Sequence, residues 1–293
     1  GQSSSLLYRT ADGSFVTIPS ANGVRQGCVF GSLLYSLSVH PYYQQCIGDL
    51  PVQGVAITDD FYLHGEPNSA LTAYDRFAHL LRATSSGIEL HRDHSSKAWA
   101  MWLGSSPAPP EVVSACEVRG LRLISSEGIP VLGSIIGTDT VVCKRLLQTK
   151  LVDLNPVFEG IRALVDLRKD GQVAQLILRY SALARPAYLL RTLNPSLTRE
   201  FTAGFDRLSL ETFCHIFAIP ITMPSEARQE IILPFRHGGV GLRATMPTRH
   251  AAFWGSACSA LHTISSYLPS TPLTSLSIRQ HLLYSHNYLL TRG

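Results

Sequence analysis

Cysteine is scarce in this chain, and charge is thinner than usual. Six cysteines stand among 293 residues, too few for a disulfide scaffold. Cys28, Cys46, Cys116, Cys143, Cys214 and Cys258 never approach a C-x-x-C spacing, so no cysteine zinc site is expected. The expectation is reduced, mostly buried thiols in an intracellular protein, nuclear or cytoplasmic and not secreted. Charged residues make up 16 %, below the usual ~25 %. Hydrophobic residues reach 45 %, which excludes a disordered, charge-rich chain. No apolar run attains the roughly 18 residues that span a bilayer, so no membrane association is expected. The opening Gly1-Gln2-Ser3-Ser4-Ser5 lacks the basic start and apolar core of a signal peptide. Because it opens on Gly rather than Met, the chain is expected to be trimmed or a piece of something longer. Its length fits one large domain or two smaller ones.

What charge there is sits unevenly. Residues 1–140 hold 8 basic and 12 acidic side chains, residues 141–210 hold 11 and 6, and residues 211–293 hold 6 and 3. An acidic first half beside a basic second half suits a metal-dependent centre next to a polyanion-binding surface.

The local patterns fall into two regimes. Asp12-Gly13 lies between the apolar runs Leu6–Arg9 and Ser14–Ile18, a hairpin signal. Residues 29–47 read as a helix interrupted or kinked by Pro41. Val52–Ile57 and Phe61–Leu63 read as strands around Asp59 and Asp60, and 68–86 reads as a helix stopped by Gly87. Ile88–Leu90 and Ala98–Leu103 read as further strands, Ser105–Pro110 as a loop, and Gly128–Gly137 as an apolar stretch punctuated by glycines. Beyond about Asp139 the pattern turns to long helices at 140–168, 171–191, 196–218 and 247–266. The stretch 267–293, rich in Ser, Leu and Tyr, is expected to be poorly packed. The fold class expected is α+β followed by a nearly all-helical region.

The chemistry concentrates in Ala56-Ile57-Thr58-Asp59-Asp60-Phe61-Tyr62-Leu63. Adjacent carboxylates at the tip of an apolar hairpin offer hard oxygen donors to Mg²⁺, with phosphates completing the shell. Alone, an Asp-Asp pair is more often a solvated turn, because Asp suits turns. His91-Arg92-Asp93 lacks the residues that would follow in a kinase catalytic loop, and Gly238–Gly241 lacks the βαβ setting of a dinucleotide fingerprint.

The neighbours of the Asp pair carry a resemblance. Gly23-Val24-Arg25-Gln26-Gly27-Cys28 precedes it; Gly87-Ile88-Glu89-Leu90 with Lys97, then Val131-Leu132-Gly133-Ser134, follow. In this order the set resembles reverse transcriptases, most closely those of non-LTR retrotransposons. The first segment looks like the family's Gln-Gly motif and the Asp pair like its Tyr-x-Asp-Asp hairpin. The Lys97 segment is similar to the Gly-Leu-x-Leu…Lys motif, and the Leu-Gly segment to the primer grip. Leu233-Pro234-Phe235-Arg236-His237-Gly238-Gly239-Val240-Gly241-Leu242-Arg243 is similar to a stretch that follows the thumb in such elements.

The resemblance implies a partial palm at 1–138, a small antiparallel sheet with helices, then a helical thumb at 139–220 and a helical extension at 221–293. It implies RNA-directed DNA synthesis with an RNA template, a DNA primer, deoxynucleoside triphosphates and Mg²⁺ or Mn²⁺. Asp59 would be a principal metal ligand and Asp60 a supporting one. Lys97 would act near the triphosphate. Arg25, Gln26 and Gly27 would line the nucleotide and template pocket. Leu132, Gly133 and Ser134 would grip the primer. Lys144, Arg145, Lys150, Arg162 and Lys169 would meet the nucleic-acid backbone.

The chain also departs from that family. Ile57 stands where the family carries an aromatic ring, and only Asp12 offers a carboxylate before Gly23. The upstream catalytic Asp and the fingers have no counterpart, so the chain alone is expected not to polymerise. The alternatives are a non-catalytic retroelement remnant that binds nucleic acid, and a metal-dependent phosphohydrolase with Glu66 as the nearest further acid.

Overall fold

The computed structural model describes residues 4–20, 28–84, 90, 98–104, 107–125, 128–267 and 278–292. The protein is α+β, and its chain forms two compact units that divide between Leu123 and Ile124.

The first unit alternates strands and helices. Strands β1 (Ser4–Arg9) and β2 (Phe15–Ser20) form an antiparallel hairpin over the predicted Asp12-Gly13 turn. Asp12 Oδ1 accepts from Thr10 Oγ1, from Ser14 N at 3.1 Å and from Ser14 Oγ at 2.9 Å. These donors hold the Asp12 carboxyl down at about 2. Helix α1 (Gly31–Ile47) runs through Pro41 without breaking. Strands β3 (Val52–Ile57) and β4 (Asp60–Gly65) form the second hairpin. Helix α2 (Pro67–Ala83) follows, capped by the Glu66 carboxylate on Ser69 N at 3.0 Å, with Pro67 preset for the first turn.

Val39, Tyr43 and Cys46 of α1 close on Phe77 and Leu81 of α2. A second cluster joins Leu71 of α2 to Val112 and Cys116 of α3 (Pro110–Val118) and to Leu121. Trp102 of β5 (Trp99–Trp102) packs against it, and β5 pairs with β6 (Arg122–Ser125). Arg119 ties this cluster to α2 through Asp75 at 2.7 Å.

The second unit is a helical bundle with one hairpin, β7 (Ile129–Val131) and β8 (Ser134–Ile136). Helices α4 (Thr140–Val152), α5 (Asn155–Arg168), α6 (Gly171–Tyr180) and α7 (Ala187–Thr192) surround α8 (Pro195–Phe217), which also packs on α10 (Thr245–Tyr267). Asn194 caps α8 by accepting from Leu197 N at 2.9 Å. The core is aromatic: Phe158, Phe201 and Phe205 are all buried, with Phe158 and Phe205 edge-to-face at 5.7 Å.

Several readings are corrected. The helix expected over 140–168 divides before Asn155-Pro156, and the one over 171–191 divides at Pro186, because proline cannot donate inside a helix. Helices α3 and α9 (Ser225–Ile232) were not anticipated, since each is short and starts after a proline. The small antiparallel sheet exists, among the described residues, as four separate two-stranded ladders. The change of period near Asp139 marks the start of α4, whose first turn Asp139 caps. The unit boundary falls earlier because Ile135 of β8 is buried with Cys143, Leu147 and Leu189 of the bundle. Residues 88 and 89 lie outside the described residues.

The described part of the C-terminal segment, 278–292, is also better packed than expected. Helix α11 (Ile278–Arg292) buries Leu282 against Phe253 and Ala257 of α10. His250 of α10 is fully buried, stacks on Tyr288 at 3.9 Å and faces Ser285 Oγ at 3.4 Å. Its burial, aided by the Arg249 charge, pushes the imidazole down to about 4 from 6.5. The unfolded chain therefore binds a proton between these values that the folded chain refuses, so stability present above pH 6.5 is lost as pH falls toward 4. The loss amounts to about 3 kcal/mol. Thermal melts across this pH range should show it, and His250→Phe should flatten the decline. An equal decline in that variant refutes the assignment.

Candidate metal and nucleic-acid site

The hairpin that carries the carboxylates is built by alternation. Paired residues Gly54–Leu63 and Ala56–Phe61 share one face, and Val55–Tyr62 and Ile57–Asp60 share the other. The first face meets the helices: Phe61 stacks on Tyr43 of α1 at 4.3 Å and lies 5.3 Å from Phe77 of α2. A side chain at Gly54 would press on the tip of Ile47 of α1 and on the Phe61 ring, so the glycine lets the hairpin sit close to the helix. The second face is open, with Val55 and Ile57 exposed beside Asp60.

Asp59 and Asp60 therefore stand at the tip and on the open face of a hairpin backed by α1. That helix begins just after the Gln-Gly segment. Both carboxylates are exposed, and among the described residues neither has a hydrogen-bond or ion-pair partner. Asp59 is near enough to be felt at Tyr43: burial raises the phenol well above its ordinary value, Tyr35 adds to this, and the Asp59 charge adds further. The tip lines neither of two cavities that lie in the helical unit.

The turn is strained. Ile57 pairs directly with Asp60, leaving Thr58 and Asp59 as the two central residues, and Thr58 adopts φ 55°. A β-branched residue is seldom left-handed, because its Cβ crowds the backbone. Thr58→Gly should remove that crowding and stabilise the first unit by about 1 kcal/mol, read as a rise in the urea midpoint. A fall would show that the Thr58 side chain makes a contact worth more than the strain.

The donor set fits one hard cation in part. Two neighbouring carboxylates suit Mg²⁺ when waters and phosphate oxygens supply the remaining ligands. Among the described residues no group of three His, Cys, Asp or Glu side chains is arranged around a common point. Glu66 is engaged as the α2 cap and Asp12 with its own hairpin turn, so neither completes the site.

No protein-family model, curated protein or solved structure matches this chain significantly.

The other residues singled out in the sequence are distributed as follows. Arg25, Gln26, Gly27 and Lys97 lie outside the described residues. Leu132 and Gly133 form the β7–β8 turn with φ of 49° and 78°, and Leu132 is exposed. Ser134 is buried, its hydroxyl 2.8 Å from Thr192 Oγ1 of α7, so it anchors the hairpin and leaves little surface free. Lys144 pairs with Glu200 at 2.6 Å. Arg162 donates to the buried Thr212 Oγ1 at 2.9 Å and so joins α5 to α8. Arg145 is exposed on α4, Lys150 is half-exposed in its last turn, and Lys169 is exposed as the left-handed cap of α5. Of the five cations, Arg145, Lys150 and Lys169 are thus the better placed for a phosphate backbone.

Sequence reading missed a convergence of Arg207, Arg228 and Arg243 around one cavity. No spacing rule connects them, and only the packing of α8, α9 and the loop before α10 brings them together.

Proposed function

We propose that the chain is the palm and thumb portion of an RNA-directed DNA polymerase, using Asp59 and Asp60 to hold Mg²⁺ against the phosphates of an incoming nucleotide. One observation carries this reading: adjacent carboxylates, without a hydrogen-bond or ion-pair partner among the described residues, at the exposed tip of a hairpin whose other face is packed on the helix that follows the Gln-Gly segment. The ordered motifs of the sequence and the basic character of residues 141–293 support it.

In this reading the chain's own residues have distinct tasks. The Tyr43–Phe61–Phe77 stack keeps the hairpin rigid, so the carboxylates are held in place without a reorganisation cost at the moment of reaction. Asp59 supplies the principal oxygen donors and Asp60 the supporting ones. A bound metal ion would neutralise charge developing on the transferred phosphoryl group and on the leaving pyrophosphate. Arg145, Lys150 and Lys169 would meet backbone phosphates.

The test is primer extension on an RNA template by the chain together with any coding segment that precedes it, with Mg²⁺ present. Incorporation that depends on both metal and Asp59 supports the reading. The absence of a third carboxylate beside the pair, among the described residues, favours a second reading, a remnant that binds nucleic acid without catalysis. Salt-sensitive binding with no incorporation, even with any such segment present, selects the second.

A further inference from the structure

The cavity lined by Arg207, Arg228 and Arg243 has a volume of about 440 Å³. This is within the range of small-ligand sites. Its walls are apolar: Leu210 of α8, Ile221, Ile232 of α9 and Leu242. Ile221 and Ile232 are partly open to solvent there. Against the three arginines stands one carboxylate, Asp206. That carboxylate is already engaged, accepting from Thr245 N at 2.7 Å, Thr245 Oγ1 at 2.7 Å and Met246 N at 2.9 Å.

The arginines are weakly engaged. Arg207 reaches Glu211 at 3.6 Å across an exposed helix surface, and Arg228 Nη2 reaches the Ile221 carbonyl at 3.4 Å. Arg243 is exposed on the loop before α10. A second, independent observation comes from the lining itself. Ser209 is 1 % exposed and its hydroxyl has no hydrogen-bond partner among the described residues. A buried hydroxyl left unpaired is costly.

The Leu233–Arg243 stretch, which the hairpin site does not use, builds one wall of this cavity. Gly241 N donates to the Leu233 carbonyl at 2.8 Å, and Leu242 N donates to the Ile231 carbonyl at 3.0 Å. Gly239 sits so close to the Leu233 carbonyl that no side chain fits, and Gly241 takes φ 74°. The tight reversal buries Leu242 and delivers Arg243 to the rim.

We infer that this cavity binds a nucleotide unit: a phosphate held by Arg207, Arg228 and Arg243, and a base seated among Leu210, Ile221, Ile232 and Leu242. Guanidinium forks match phosphate oxygens and their planes stack on bases. The Ser209 hydroxyl gains the partner it lacks from a polar edge of the sugar or base. The inference goes beyond the hairpin reading and does not depend on it.

The test is fluorescence anisotropy of a short labelled oligoribonucleotide with the full chain. In the double variant Arg228→Ala/Arg243→Ala, affinity should fall about tenfold or more, and the salt dependence should flatten by up to about one phosphate contact. Both residues are exposed, so the melting temperature should hold. Arg236→Ala, outside the cavity, should bind normally. Ser209→Ala should fold at least as stably yet bind more weakly, a split that a purely structural serine would not produce. Displacement by a nucleoside monophosphate identifies a free nucleotide as ligand; displacement by unlabelled strand alone identifies a strand, and either supports the inference. Unchanged affinity and salt slope in the double variant overturn it, as does displacement by inorganic phosphate as effective as by the nucleotide. This binding is read without metal, primer or deoxynucleotide, so its failure is distinguishable from failure of the hairpin reading, which primer extension tests.

Discussion

If Asp59 holds the metal as proposed, Asp59→Asn should reduce nucleotide incorporation by about a thousandfold or more, measured in the chain together with any coding segment that precedes it. The substitution keeps size and shape but removes the charge that holds a divalent ion. Metal stabilisation of a transferring phosphoryl group contributes several kcal/mol, and each ~1.4 kcal/mol is a factor of ten in rate. Asp60→Asn lowers the rate less, because Asp60 belongs to the strand and lends support. Folding is spared: both side chains are exposed and without partners among the described residues, so melting temperature should not fall. Primer extension with Mg²⁺ or Mn²⁺ measures the effect, and near-normal activity of Asp59→Asn refutes the metal assignment. The 293-residue chain by itself is expected to incorporate nothing, since among the described residues only two carboxylates stand at the hairpin tip and a two-ion site needs more. Measurable synthesis by the purified chain would overturn that expectation.

Phe205→Ala carries the largest expected effect on stability. The ring is fully buried at the centre of α8, edge-to-face with Phe158 at 5.7 Å and near-parallel to Phe201 at 6.3 Å. Removing it leaves a hole that flanking helices cannot close without moving several contacts at once. Such truncations cost about 3–5 kcal/mol. Urea unfolding of the full chain should show the transition of the helical unit moving to lower denaturant while that of the first unit stays in place. Phe15→Ala is the control, since that ring is 68 % exposed on β2 and surface substitutions change stability by about 0.5 kcal/mol or less. A loss below about 1 kcal/mol for Phe205→Ala would mean that the aromatic core is not the main support of the bundle.

Much of the first unit was legible from local chemistry. Asp12-Gly13 and the Thr58-Asp59 turn lie between apolar runs, and both hairpins form where those runs predict them. Glu66-Pro67 starts α2, and Asn194-Pro195 starts α8, because a side-chain acceptor and a preset φ meet at one point. Asn155-Pro156 and Pro186 carried signals of interruption that a helical period alone hid. Helix α11 lies in the stretch expected to be helical, but its packing was misread because its apolar residues only make sense once α10 provides a surface for Leu282.

Local sequence settled which segments turn, where helices begin, and that two acids share one hairpin tip, because these depend on neighbours a few residues away. Packing settled which cations remain available: Arg162 became a strut to Thr212 and Lys144 a partner of Glu200. It also gathered Arg207, Arg228 and Arg243 around one cavity. Those outcomes depend on which surfaces of distant helices meet, and apolar burial makes that choice over the whole unit at once.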